Sequence, residues 1–240
     1  MGKWKQVQEY AEHIPSPLYN YVLHREKATH ILVLDATFVS VKGKDRAIMI
    51  AYDTGIGLVD YFIDVTENAT AYSLIFQRLT QAGYRPICVV SDGHDSILSV
   101  VRERNLPHQR CVFHLLQELR RKLGKGYENE LHGRSRILYS RIKGIFKTGS
   151  IEVLPERVER FRRDAVPLFK GYPGILRWFW KTLPHATLHL SYEEKVPNTS
   201  NILENLNGQI KQRLKIMRGM KSERSLHNLV KILFYFRNYK

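Results

Sequence analysis

Residues 86–95, PICVVSDGHD, constrain the fold more than any other stretch. An apolar run opened by Pro86 and closed by Gly93 reads as a strand buried on both faces, over Ile87–Ser91. Such strands lie inside α/β sheets, which carry helices on their faces. Asp92 stands at the carboxyl end of that strand, where open α/β sheets place their chemistry. An aspartate at this position also starts turns and caps helices, so its meaning depends on what the fold brings beside it.

The stretches around it supply the neighbours. His30–Val41 (HILVLDATFVSV), Arg46–Asp53 and Leu58–Val65 read as three strands joined by short glycine-bearing turns, an antiparallel meander. A helix is predicted from Thr66-Glu67-Asn68 to Gly83, with Leu74, Ile75, Leu79 and Ala82 at helical spacing. A short helix over about 96–104 follows the Asp92 strand, and a fifth strand is predicted over Arg110–Phe113. The order β-β-β-α-β-α-β gives a mixed five-stranded sheet with flanking helices. It matches the ribonuclease-H-like fold, in which the first and fourth strands are neighbours. Asp35 and Asp92 then lie side by side, and two carboxylates that close repel unless a cation sits between them.

Beyond residue 114 the character turns helical, basic and aromatic. Leu115, Leu116, Leu119 and Leu123 stripe one helix, residues 124–133 read as a loop, and helices are predicted over about 134–147, 154–169 and 175–183. Residues 115–197 are expected to form an all-helical insertion before the last catalytic helix. That helix follows Pro197-Asn198-Thr199-Ser200, carries the stripe Ile202, Leu206, Ile210, Leu214 and Met217, and closes at Gly219. A final helix is predicted over 222–239. Residues 1–29, broken by Pro15 and Pro17, read as a lead-in or linker. The expected organisation is thus a core of 30–114 with 198–240, interrupted by the insertion.

Charge separates these regions. Residues 1–114 hold 12 Lys/Arg against 12 Asp/Glu, whereas residues 115–181 hold 16 against 7 and residues 200–240 hold 9 against 2. The whole excess of +15 therefore belongs to the second half, which suits a polyanion, nucleic acid first. Cys88 and Cys111 are the only cysteines, so no disulfide framework is expected and a reducing compartment fits. The chain start has no apolar signal region, and no stretch reaches about 18 apolar residues. A cytoplasmic, DNA-associated protein with no membrane partner is the expectation.

On the helix after Ser200, the residues Asn201, Glu204, Gly208, Lys211 and Lys215 fall at steps of three and four and share a face beside the apolar stripe. Glu204 is either an ordinary solvated acid or the third member of a carboxylate site with Asp35 and Asp92. In the second case Lys211 is placed to touch a DNA phosphate. Cys111 and His114 form Cys-x-x-His, which His108 extends. A structural zinc site needs four ligands and no second such cluster is present, so a buried cysteine with a hydrogen-bonded histidine competes with an auxiliary active-site role. Trp178 and Trp180 flank Phe179 in the basic insertion and can stack on an unpaired base, or else form the core of a small helical unit.

Four segments in order, LDATFV, VVSDGHDSI, QRCVFHLLQELRRKL and TSNILENLNGQIKQRLKIMRGM, resemble the DDE transposases of the Mutator-like superfamily, including its bacterial and archaeal insertion-sequence members. The resemblance spans roughly residues 30–240. It implies that the three catalytic, metal-holding acids are Asp35, Asp92 and Glu204, with Cys111 and His114 auxiliary. It further implies two Mg²⁺ ions with Mn²⁺ able to substitute, DNA as partner, and a homodimer or larger assembly on two element ends. Asn201, Lys211, Arg213, Lys215, Trp178 and Trp180 become the expected DNA contacts. The implied activity is cleavage of transposon-end phosphodiesters and strand transfer by a 3′-hydroxyl. The alternatives are a structure-selective nuclease of the same fold and a catalytically silent DNA-binding remnant.

Overall fold

The computed structural model describes residues 3–124, 133–165, 171–216 and 222–238. The chain divides into two compact units, one of residues 1–107 with 200–240 and one of residues 108–199. The first unit begins with helices α1 (Lys3–His13) and α2 (Pro17–Leu23) and continues through β1 (Ile31–Val41), β2 (Lys44–Asp53), β3 (Gly57–Asp64), α3 (Ala69–Gln81), β4 (Cys88–Ser91) and α4 (Asp95–Glu103). In the second unit β5 (His108–Arg110) leads into α5 (Val112–Leu123), α6 (Gly133–Phe146), α7 (Leu154–Arg160) and α8 (Pro173–Thr187). The chain returns to the first unit with α9 (Asn201–Ile216) and α10 (Glu223–Asn238).

The strands hydrogen-bond in the order β3-β2-β1-β4-β5. β1 and β2 pair antiparallel, as do β2 and β3, while β4 runs parallel to β1. This mixed sheet is the ribonuclease-H-like arrangement predicted from the sequence. The alternation along β1 sorts its side chains. Leu32 and Leu34 face a core built with Val89, with Tyr72, Ile75, Phe76 and Leu79 of α3, and with Ile97 and Val100 of α4. The opposite face of β1 carries Ile31, Val33 and Asp35, and α9 packs on β1. Asn68 starts α3 by accepting a hydrogen bond from the Ala71 N–H at 2.9 Å, the ordinary role of an N-cap asparagine.

Three expectations change. Residues 3–23, expected as a lead-in, are largely helical: Pro17 starts α2 at the position where its missing N–H costs nothing, and Ala11, Ile14 and Tyr21 are buried. The fifth strand ends at Arg110, and helix starts at Val112 with Cys111 as its cap residue. The reason is visible in the burial of Val112, Leu115, Leu116, Leu119 and Leu123, a stripe of helical period that begins three residues earlier than expected. In α9 the buried positions are Leu203, Leu206, Asn207, Ile210 and Leu214, so Leu203 rather than Ile202 opens the stripe. Most of the 124–133 loop, the end of the helix predicted over 154–169, Met217 and Gly219 lie outside the described residues.

In the second unit α5, α6 and α8 pack around Leu115, Leu119, Leu138, Ile142, Phe146 and Phe179. Among the described residues, no helix is long and apolar enough to cross a membrane.

Candidate active site

The parallel register sets Ile31, Leu32 and Val33 opposite Cys88, Val89 and Val90. Asp35 follows the paired stretch by two residues in β1, and Asp92 stands one residue past the end of β4. The alternation along β1 puts Asp35 on the side opposite Leu32 and Leu34. Asp35 is 8% exposed, and its Oδ1 accepts from the Ala36 N–H at 2.9 Å. Asp92 is half-buried just past β4, in a turn that Gly93 makes possible with φ +84°, and its Oδ1 accepts from the His94 N–H at 2.9 Å.

A residue on the Glu204 helix that sequence reasoning missed bonds to Asp35. Asn207, 8% exposed on α9, donates from Nδ2 to Asp35 Oδ2 at 2.8 Å. Glu204 lies three residues earlier on the same helix and is half-buried; residues at that spacing are surface neighbours on one helix face. The Asn207 bond therefore turns the Glu204 face of α9 toward Asp35. The Oδ1 of Asn207 and the Oγ1 of Thr37, two residues past Asp35 on the same strand face, are buried with no hydrogen-bond partner among the described residues. The available signal for Asn207 was its position: a polar residue one turn after Glu204, inside the buried stripe of Leu203, Leu206 and Ile210.

Glu67 and Tyr72 are the other residues the sequence did not single out. The Tyr72 hydroxyl donates to Glu67 Oε1 at 2.9 Å, and His94 Nδ1 lies 3.4 Å from the same oxygen. Burial raises the Glu67 pKa above its ordinary value, opposed by the Tyr72 hydrogen bond and His94 and reinforced by the charge of Asp92. Tyr72 is fully buried, and its hydroxyl is pushed well above the usual tyrosine range, first by burial and then by Glu67, Asp35 and Asp92. One hydroxyl thus feels three carboxylates.

Along α9, Asn201, Lys211 and Lys215 are exposed and continue the line of Glu204 at helical spacing. Arg213 is exposed too, but it stands two residues from each lysine, about 200° around the helix, on the other side. In the second unit Cys111 is fully buried, and the Val112 N–H beside it donates to the Asn198 carbonyl at 2.8 Å. His114 is half-buried in the first turn of α5, its ring edge-on to Phe113. His108 is buried, with its ring 6.0 Å from that of His185. Trp178, half-buried, gives its indole N–H to Glu118 at 2.8 Å and packs beside Phe146 against the core of the helical unit. Trp180, 37% exposed, is the more accessible of the two.

With this geometry in place, comparison with known proteins decides the family. A sequence model described as "Transposase, Mutator family" matches residues 4–239. The chain belongs to that family. Among Mutator-family relatives, the transposase of insertion sequence element IS256 in transposon Tn4001 of Staphylococcus aureus is 23% identical over 218 residues, covering 85% of this chain and 54% of the relative. The transposase of insertion sequence element IS905 from Lactococcus lactis subsp. lactis is 21% identical over 227 residues, covering 88% and 54%. The chain spans about half the length of the curated relatives it matches. A solved structure of the HTLV-2 integrase catalytic core domain, in complex with magnesium, overlaps 42% of this chain and 72% of its own at 18% identity and a TM-score of 0.30.

Proposed function

We propose that this Mutator-family chain carries the catalytic unit of a DNA transposase, with Asp35, Asp92 and Glu204 as its metal-holding acids. The observation that supports the reading is the 2.8 Å hydrogen bond from Asn207 to Asp35, because Asn207 shares a face of α9 with Glu204. The donor set fits a hard divalent cation: carboxylate oxygens, with the unpartnered Asn207 Oδ1 and Thr37 Oγ1 close by in sequence and on the same faces.

In the proposed reaction a water oxygen bonds to phosphorus at an element end, the bond from phosphorus to the 3′-oxygen breaks, and the 3′-hydroxyl is released. That hydroxyl then attacks a phosphorus of target DNA and displaces a target 3′-oxygen, so bonds formed and broken balance at each step. Two Mg²⁺ ions, or Mn²⁺ in their place, would be held by the three acids and would supply Lewis-acid activation of the attacking oxygen and charge neutralisation at the leaving one. Asn207 fixes the orientation of the Asp35 carboxylate. Lys211 and Lys215, exposed along the same line of α9, contact phosphates and set the strand's direction across the acids. The basic second unit supplies further phosphate contacts, and the chain works as a dimer or larger assembly holding two ends.

Crystals soaked in Mn²⁺ are expected to show anomalous density between Asp35 and Asp92. Ordered Mn²⁺ elsewhere, with those two carboxylates too far apart to share an ion, would overturn the reading. A second outcome follows from Asn207. Partners that orient a ligand typically change metal affinity about 10–100-fold, so Asn207→Ala is expected to weaken Mn²⁺ binding by that factor while the melting temperature moves by only a few degrees. Unchanged affinity in a titration would show that Asp35 needs no orienting bond.

A further inference from the structure

A cavity of about 320 Å³ opens in the second unit. Its floor is apolar, formed by Ile145, 3% exposed, and Phe161, 2% exposed, and Gly144 forms part of its wall. Arg141, Arg157 and Arg160 line it together with Asp164.

Two of these guanidinium groups are held in place. Arg157 Nη1 donates to the Gly144 carbonyl at 2.9 Å and to Thr148 Oγ1 at 3.3 Å, and Arg160 donates to Glu156 at 2.7 Å. Asp164 takes a hydrogen bond from Arg163 at 2.7 Å, which holds its carboxyl below the ordinary aspartate value, and the charges of Arg141 and Arg160 add to that effect. The site therefore presents three fixed-charge cations and one ionised acceptor around an apolar floor.

That combination has a definite chemistry. Guanidinium groups fork onto phosphate oxygens and lie flat on bases, and an apolar or aromatic floor takes the face of a base. The volume is at the lower end of ligand pockets, enough for one nucleotide and not for a duplex. A base inside a duplex has both faces covered by its neighbours, so only an unstacked one can enter.

We propose that this cavity seats one unstacked nucleotide of single-stranded DNA, its phosphate on the arginines and its base over Ile145 and Phe161. The proposal rests on the DNA reading above and adds a subsite in the helical unit. Asp164 is the acceptor for a base amino group.

Gly144 offers a test that leaves every charge in place. A Cβ added there would meet no atom within 4 Å, so alanine fits, and leucine has open space to fill. Gly144 lies in the last turn of α6, where leucine is a better helix former than glycine, and an unchanged melting temperature separates a binding loss from a folding loss. Binding of the full chain to a labelled single strand and to the duplex of the same sequence is measured by fluorescence anisotropy.

Gly144→Leu is expected to weaken single-strand binding about tenfold, the effect of losing one base–protein stack, and to change duplex binding less than twofold. A strand with abasic sites binds the parent protein as weakly as the intact strand binds Gly144→Leu. Single-strand binding unchanged in Gly144→Leu, equal affinity for abasic and intact strands, or free dAMP binding as tightly as the strand would each overturn the subsite. Persistent duplex binding in those cases leaves the transposase reading standing. A parent protein that binds neither DNA form overturns both.

Discussion

The Asp92→Asn protein is expected to melt at the parent temperature, to bind DNA, and to cut it about a thousandfold more slowly. Asparagine has the shape of aspartate and keeps an oxygen able to accept the 2.9 Å bond from the His94 N–H, so the turn after β4 survives. What is lost is one anionic oxygen in a site proposed to hold divalent ions. Metal-assisted stabilisation of a phosphoryl transition state is worth several kcal/mol, and about 4 kcal/mol corresponds to about three powers of ten in rate. Nicking of supercoiled DNA with Mg²⁺ or Mn²⁺ gives the rate, and joined products report strand transfer separately from hydrolysis. Residual cutting within tenfold of the parent would remove Asp92 from the chemistry. Cutting without joined products by the parent protein would favour the nuclease alternative.

Asp53→Ala is expected to lose about 4 kcal/mol of folding stability, a large part of the roughly 5–15 kcal/mol that holds a domain together. Asp53 is completely buried at the end of β2. Its Oδ1 accepts from the N–H groups of Thr29, Gly55 and Ile56 at 3.2, 2.8 and 3.2 Å and from the Thr29 hydroxyl at 3.3 Å. Its Oδ2 accepts from the Tyr84 hydroxyl at 2.8 Å. Removing the carboxylate strands several donors away from water at about 1–3 kcal/mol each, less whatever entering water recovers. The turn cannot simply close over the gap, because a Cβ on Gly55 would already lie 2.0 Å from the Lys27 carbonyl oxygen. Urea unfolding measures the loss, and Asp53→Asn, which keeps one oxygen, is expected to fall between alanine and the parent. A loss below about 1 kcal/mol for alanine would show that the donors find other partners.

Asp35 and Asp53 show where a sequence stops being legible. Both are acids in strands of one meander, and both are buried. Asp53 is surrounded by donors from its own neighbourhood, whereas Asp35 meets a residue from far along the chain. Period and turn residues sufficed for β1 to β4 and for α3, since strand alternation and the Asn68 cap are local signals. The three-residue β5 was misplaced because a strand that short has no period, and Val112 suits helix and strand alike. Helices α1 and α2 escaped notice because their stability comes from burying Ala11, Ile14 and Tyr21 against the rest of the unit, which local pattern does not record. Glu204 was legible as a face of α9, yet Asn207 and Glu67 acquire meaning only from Asp35, Tyr72 and His94, partners that no spacing rule supplies.

The bond between Asn207 and Asp35 joins positions 172 apart, with the whole helical unit between them in the chain. Closing so long a loop costs only about 0.6 kcal/mol more than closing one half as long, so evolution can lengthen or shorten the intervening unit at little energetic expense. Time is a different matter. A ribosome adding about 5–20 residues per second needs on the order of ten seconds to travel from Asp92 to Glu204. During that interval the nascent protein has two of the three proposed acids and lacks the asparagine that bonds the first. Under the proposed assignment, the metal site is incomplete until α9 has been made.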